Sequence, residues 1–109
     1  MNKSIAALAA CCILSGCATS AAGLLRRGVD QTIESGKSSS EFATCVFNSL
    51  RWDPDLFHDG DHYWVVRNNG YGVPIIRWDF TPREGGGSKA ELRSSFGMTV
   101  GDERVRACV

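Results

Sequence analysis

Residues 62–80 read HYWVVRNNGYGVPIIRWDF and contain two runs of aromatic and β-branched side chains. Such runs favour β-strands. The segment 68–72 between them is rich in asparagine and glycine, which tolerate the positive φ angles of a tight turn. The pattern therefore predicts a β-hairpin with strands at 62–67 and 73–80.

Side chains alternate between the two faces of a strand, so this hairpin is predicted to have one apolar and one polar face. The inward side chains are expected to be Trp64, Val66, Ile76, Trp78 and Phe80. The other face is expected to carry Arg67, Arg77 and Asp79. Together with Lys89, Glu91 and Arg93 these residues would form a slightly basic surface, which suits either cross-strand charge pairing or the docking of an anionic polymer or partner protein.

The residues on both sides of the hairpin predict the rest of the fold. Residues 88–96 alternate between charged and small or apolar side chains, which indicates a third strand in an antiparallel sheet. Ser38-Ser39-Ser40-Glu41 has the form of a capping box and begins a helix that ends near residue 50. At the C-terminus, Thr99 and Asp102 fit the start of a short helix, although residues 98–109 also alternate as in a strand.

These elements predict an α+β fold in the order helix, three-stranded antiparallel sheet and short C-terminal helix. Both helices are expected to lie on one face of the sheet, which is a common way to bury its apolar side.

The N-terminal segment has the character of an export signal. It reads MNKSIAALAACCILSGC, with one basic residue before an apolar run at 5–14. That run is too short to span a bilayer, which takes about twenty apolar residues. Leu14-Ser15-Gly16-Cys17 resembles the lipobox of bacterial lipoproteins. The resemblance implies that residues 1–16 are a signal peptide and that Cys17 carries diacylglycerol and an N-acyl lipid such as palmitate, which anchor the chain to a membrane.

Removal of the first 16 of the 109 residues leaves 93, enough for one small domain. Residues 17–37 are small, polar and weakly patterned, and are predicted to form the lipidated N-terminus and a tether. Within them, either a short amphipathic helix that includes Leu24, Leu25, Val29 and Ile33 or a brief edge strand at 29–34 remains open. The folded α+β domain is predicted at 38–109.

Lipidation also changes the cysteine count. Cys11 and Cys12 leave with the signal peptide, and Cys17 becomes a thioether, so Cys45 and Cys108 remain. Two cysteines in a small exported domain predict a disulfide, with two buried free thiols as the alternative. By loop entropy, such a bond would contribute on the order of 4 kcal/mol to stability.

Residues 58–62, HDGDH, are the one cluster of metal-ligand residue types in the sequence. His58, Asp59, Asp61 and His62 are weak candidates for a divalent metal site. Their spacing matches no specific zinc or calcium motif, so a polar turn at Asp59-Gly60 is the preferred interpretation. Apart from the lipid on Cys17, no cofactor is predicted.

The aromatic side chains around that cluster suggest a second kind of binding surface. Trp52, Phe57 and Tyr63, with Asp53 and Asp55, would form an aromatic and acidic platform for a sugar. The preferred interpretation is that they are core and rim residues, because aromatic side chains bury much area in a small domain.

Charge and the absence of catalytic patterns narrow the function classes. Without Lys3, 11 basic residues stand against 12 acidic ones, and the longest basic run is Arg26-Arg27. A nucleic-acid partner is therefore not expected. No serine or cysteine lies in a recognisable hydrolase context, which favours a non-enzymatic protein.

The leading interpretation is a lipid-anchored envelope protein that binds or supports a partner at the membrane surface. Its contact would be the open face of the sheet, including Arg67 and Arg77, or the 52–63 loop with Trp52 and Tyr63. By resemblance to lipoproteins, Ala18 rather than aspartate after Cys17 implies the outer membrane, facing the periplasm. The alternatives are a small inhibitor of a lysozyme-type hydrolase, a phage lysis lipoprotein and a metal-binding periplasmic protein.

Overall fold

A computed structural model describes residues 20–51, 53–95 and 102–109, which form three helices and five strands. In chain order these elements are α1 (Ala21–Leu24), β1 (Gln31–Ser35), α2 (Ser39–Ser49), β2 (Asp55–Asp59), β3 (His62–Asn68), β4 (Pro74–Pro82), β5 (Ser88–Ser94) and α3 (Asp102–Ala107). The predictions for the segment 14–17, Trp52, Phe96 and Thr99 lie outside the described residues.

The strands form one antiparallel sheet in the order β1-β5-β4-β3-β2. The prediction of three strands is therefore wrong. Strand β2 was missed because its sequence, DLFHD, carries an acidic residue at each end and little apolar character. Strand β1 corresponds to the edge strand left open at 29–34, but the predicted sheet did not include it because its alternation is short and lies within the predicted tether. Strand β1 pairs with β5 and forms one edge of the sheet, whereas β2 forms the opposite edge. Helix α2 connects the two strands and therefore crosses the sheet.

The pairing register corrects the predicted faces of the hairpin. Val65 lies opposite Trp78, and Tyr63 lies opposite Phe80. Residues that face each other across an antiparallel pair share a face, so Val65 rather than Trp64 or Val66 points to the core. Trp64 and Val66 lie with Arg77 and Asp79, and Arg67 lies with Ile76. The turn sets this register, and a shift by one residue exchanges the faces of a whole strand.

Helix α2 covers the apolar face of the sheet. Ser38 caps the helix as predicted, because its Oγ accepts a hydrogen bond from the Glu41 backbone N–H at 3.1 Å. Phe42 packs edge-on against Phe80, with ring centroids 5.1 Å apart. The helix and sheet residues form one buried core that includes Ala43, Val46, Val65, Trp78, Leu92 and Val105.

The Cys45–Cys108 disulfide joins α2 to α3 with a Cα–Cα distance of 5.7 Å, which confirms the predicted pair. Of the two alternatives for the C-terminal segment, the structure has the helix, Asp102–Ala107. Arg104 of this helix donates a hydrogen bond to the Ser49 carbonyl at the end of α2. The chain end is thus attached to α2 both covalently and through a charged hydrogen bond.

The N-terminal segment covers the other face of the sheet. Arg77, which points away from α2, donates a hydrogen bond to the Ala21 carbonyl at 3.1 Å. Leu24 is fully buried, and Asp30 bonds to β5. Helices therefore lie on both faces, which corrects the predicted arrangement on one face. Residues 20–37, assigned to a tether from sequence, include α1 and β1, so the fold extends to the N-terminal side of the predicted start at Ser38.

Candidate functional site

A group of ionisable side chains lies on the face of the sheet that α1 covers. We call His62, Arg77, Asp79 and Arg93 the charge cluster. Asp79 accepts hydrogen bonds from Arg77 Nε at 2.9 Å and Nη2 at 2.8 Å. His62 Nε2 lies 2.7 Å from Asp79 Oδ1, and Arg93 Nη1 lies 3.5 Å from Oδ2. One carboxylate thus holds three basic groups.

Strand geometry explains why these residues meet. Arg77 and Asp79 are two positions apart on β4, so they point to the same face. Arg93 lies directly opposite Arg77 on β5. The side chains of Arg77 and Asp79 are each only 5% exposed. Two arginines that face each other would repel without the carboxylate, so we assign the charge cluster a structural role beneath α1.

An aromatic row continues from the charge cluster toward the β2 edge. Arg77 Cζ lies 5.0 Å from the ring centroid of Trp64. Trp64 in turn stacks on Phe57, with centroids 5.7 Å apart. Phe57 is 44% exposed, so the row ends in solvent. Sequence reasoning missed Trp64 as a surface residue because it assigned this side chain to the core.

A cleft of about 440 Å³ lies beside the β3–β4 turn. We call it the Arg67 cleft. It is lined by Asp53, Arg67, Asn68, Asn69, Gly70, Gly72 and Ile75. Its volume falls within the range of roughly 300–1,000 Å³ that is typical of small-ligand sites.

Local backbone chemistry shapes this cleft. Asn69 Oδ1 accepts hydrogen bonds from the backbone N–H groups of Tyr71 at 2.8 Å and Val73 at 3.0 Å, which fixes the turn. Gly72 adopts φ +77°, and Asp53 adopts φ 54° on the opposite side. A left-handed conformation is uncommon outside glycine, and aspartate and asparagine are among the residues that tolerate it best.

Arg67 provides the cationic group of the cleft. The part of the chain that the structure describes places no hydrogen-bond or ion-pair partner at its guanidinium group. Asn68 is tied to the β2 edge, because its Nδ2 donates to Asp55 Oδ2 at 3.1 Å. A planar guanidinium beside amide groups can bind a carboxylate or phosphate through paired hydrogen bonds.

The residues predicted as metal ligands do not converge. His58 pairs with Tyr63 on the helix face of the sheet, and their rings stack at 5.1 Å. Asp59 pairs with His62, whose imidazole lies on the opposite face and contacts Asp79. Asp61 lies in the turn between β2 and β3, where its carbonyl accepts from Ser39 Oγ. Within residues 20–51, 53–95 and 102–109, no three such side chains are placed to hold one metal ion.

The predicted sugar platform is also divided. Tyr63 faces the α2 side and packs against the core, whereas Phe57 lies on the other face. Asp53 lines the Arg67 cleft, and Asp55 binds Asn68. The segment predicted as the 52–63 loop contains β2 and the start of β3. These residues therefore do not form one surface, because successive residues of a strand point in opposite directions.

The predicted charged face is partly correct: Arg77, Asp79, Lys89, Glu91 and Arg93 share one face, and Asp79 pairs across the strands with Arg93. The prediction of an open surface is wrong for the two arginines that were expected to bind. Arg77 is buried under α1, and Arg67 lies on the other face of the sheet beside the cleft. Residues 18–37 are weakly patterned and therefore predict a tether, so this cover had no strong signal in the sequence. Of the two predicted binding arginines, Arg67 alone is available to a ligand.

Comparison of the chain with protein families, curated proteins and solved structures finds no match. Among the described residues, none of the helices has the length and apolar character needed to cross a bilayer.

Proposed function

We propose that this protein is a lipid-anchored envelope protein that binds a partner without chemically converting it. Cys17 would carry diacylglycerol and an N-acyl lipid, and the domain would face the periplasm from the outer membrane. The proposed partner is an anionic envelope polymer, or an envelope protein that presents anionic groups, held in the Arg67 cleft.

The observation that carries the anchoring proposal is the Cys45–Cys108 disulfide. Lipidation of Cys17 and loss of residues 1–16 would leave these two cysteines alone in the mature chain. Their bonding is what an oxidising compartment beyond the inner membrane favours, and disulfides are rare in the bacterial cytosol. The Leu14–Cys17 segment, on which this cysteine count depends, supports the same location.

The Arg67 cleft supports binding rather than catalysis. Its described lining contains an arginine, an aspartate and two asparagines but no histidine, cysteine, serine or threonine. Covalent catalysis needs a nucleophile with an adjacent base, whereas anion recognition needs a fixed cation and hydrogen-bond donors. The residue types in the cleft match the requirement for anion recognition.

The anchor can be tested by metabolic labelling of the full-length chain with radioactive palmitate in a diderm bacterium. We expect label on the wild-type protein and none on Cys17→Ser, because the thioether cannot form on serine. Cys12→Ser is the matched control and should be labelled normally. Labelled Cys17→Ser or unlabelled wild type would contradict the proposed anchor.

The cleft can be tested by sedimentation of the mature chain with purified cell-wall sacculi and with their anionic polymers. Arg67→Gln should weaken binding about tenfold or more, since a charge-assisted hydrogen bond contributes roughly 1.5–3 kcal/mol. Arg51→Gln removes an exposed arginine just after α2 and should leave binding unchanged. Equal binding by the wild type and Arg67→Gln would exclude the cleft as the contact.

A further inference from the structure

The segment that follows α1 presents apolar and basic side chains together to solvent. We call residues 25–29, Leu25-Arg26-Arg27-Gly28-Val29, the basic loop. Leu25 is 43% and Val29 39% exposed. They are two of the five large hydrophobic side chains that are exposed among the described residues. No ion pair or hydrogen bond to the side chains of Arg26 and Arg27 is present within that part of the chain.

The backbone of the basic loop is held against the domain. The N–H groups of Arg26 and Arg27 donate to the carbonyls of Gly23 and Leu24, both at 3.1 Å. Arg93 Nε donates to the Arg27 carbonyl at 3.1 Å. Just beyond the loop, the Asp30 carboxylate accepts from the Ser94 N–H at 3.0 Å and hydroxyl at 3.1 Å. The loop therefore presents its side chains from a fixed backbone.

The position of Cys17 places this loop near the proposed membrane anchor. Ser20, which caps α1, follows Cys17 by three residues. Three residues span at most about 10 Å in any conformation. Ser20 and the start of α1 would therefore lie within about 10 Å of the lipidated residue. A domain without a long tether cannot move far from the bilayer surface.

We propose that the basic loop docks on the surface of anionic phospholipids, with Arg26 and Arg27 on the headgroups and Leu25 and Val29 in the interfacial region. This inference rests on the proposed lipid anchor. The three acyl chains proposed on Cys17 hold the chain at the bilayer but do not orient the domain, whereas each basic side chain near an anionic surface adds an attraction of about 1 kcal/mol. Docking through this loop turns the α1 side of the sheet toward the membrane and the α2 side away from it.

Binding to vesicles tests the loop without the lipid. The mature chain with Cys17→Ser keeps every described residue, so its vesicle affinity reports on protein contacts alone. We expect it to bind vesicles of phosphatidylglycerol mixed with phosphatidylcholine and not vesicles of phosphatidylcholine alone. In the same background, Arg26→Gln/Arg27→Gln should weaken binding about 30-fold, because each basic residue near an anionic surface contributes roughly a fivefold factor.

The matched control is Lys37→Gln/Arg51→Gln, which removes the same charge next to the two ends of α2 on the opposite side of the sheet. It should change the affinity less than about twofold, because surface charges more distant than a Debye length are screened. Leu25→Ser/Val29→Ser should also weaken binding, including at low salt. Thermal melting of each variant verifies that the fold is retained.

Three results would overturn the inference: no binding to anionic vesicles, equal binding to neutral ones, or equal losses in the loop and control variants. A protein partner for this loop would produce the first result. These outcomes are distinct from failure of the anchor, which palmitate labelling of the wild type detects separately.

Discussion

Replacing Cys45 and Cys108 together by alanine is expected to lower the free energy of unfolding by about 4 kcal/mol. The two residues are 63 positions apart, so the bond closes most of the domain into one loop and restricts the unfolded chain. For a domain of this size that loss corresponds to a fall in Tm of about 15–30 °C. Urea unfolding of the mature chain measures this loss of free energy. The slope of the free energy against urea concentration, m, should be compared between wild type and variant, because removing the bond also changes the denatured state.

Reduction of the wild-type chain provides the matched control for this prediction. The reduced wild type should unfold near the midpoint of the double variant, and the double variant should not respond to the reductant. If oxidised and reduced wild type unfold together, the disulfide does not stabilise the domain. In that case the contacts of α3 with α2, including the bond from Arg104 to Ser49, would suffice to hold the chain end.

Asp79→Ala is expected to destabilise the fold by about 3–5 kcal/mol, because it leaves Arg77 buried without its carboxylate. Arg77 and Arg93 face each other across β4 and β5, so their repulsion would also go uncompensated. Loss of Asp79 should loosen the cover formed by α1, since Arg77 binds the Ala21 carbonyl. Equilibrium unfolding measures the loss of stability, and amide hydrogen exchange of residues 21–27 measures the loosening of α1.

Glu91→Ala is the natural comparison, because Glu91 lies directly opposite Asp79 on the same face. Its side chain is 25% exposed and lies 4.0 Å from Lys89, so its removal should cost less than about 1 kcal/mol. The double variant Arg77→Leu/Asp79→Leu should cost less than the sum of the two single variants, since no unpaired charge remains at either position. Equal effects of Asp79→Ala and Glu91→Ala would refute the structural role of the charge cluster.

The two covered faces limit where a partner can bind. Helix α2 fills the apolar face, and α1 with residues 25–30 covers much of the other. The Arg67 cleft and the basic loop remain accessible, and Arg67 lies on the α2 face of the sheet whereas the basic loop follows α1 on the other face. The loop would face the bilayer, and the cleft would be available to a polymer or protein of the envelope.

Several parts of the fold were predictable because their signals are local. The capping box at Ser38 and the hairpin turn around Asn69 depend on residues a few positions apart, and both lie where the sequence indicated. The Cys45–Cys108 pair was predicted because these are the two cysteines that remain once residues 1–16 are removed and Cys17 is assigned to lipidation. In contrast, β2 is stabilised by pairing with β3 despite the sequence DLFHD, which has weak strand propensity of its own.

The sequence by itself determined the disulfide pair and the position of α2. It also determined that residues 62–80 form a hairpin. Strand propensity, turn residues and the number of cysteines can all be read without knowing any distant contact. Only the tertiary structure decided that Trp64 and Asp79 share a face, that α1 buries Arg77, and that Arg67 lies beside a cleft. These features depend on strand register and on contacts between residues about 56 positions apart, as in the bond from Arg77 to Ala21. No local pattern encodes such contacts, because pairing across the sheet fixes them only when the whole domain is assembled.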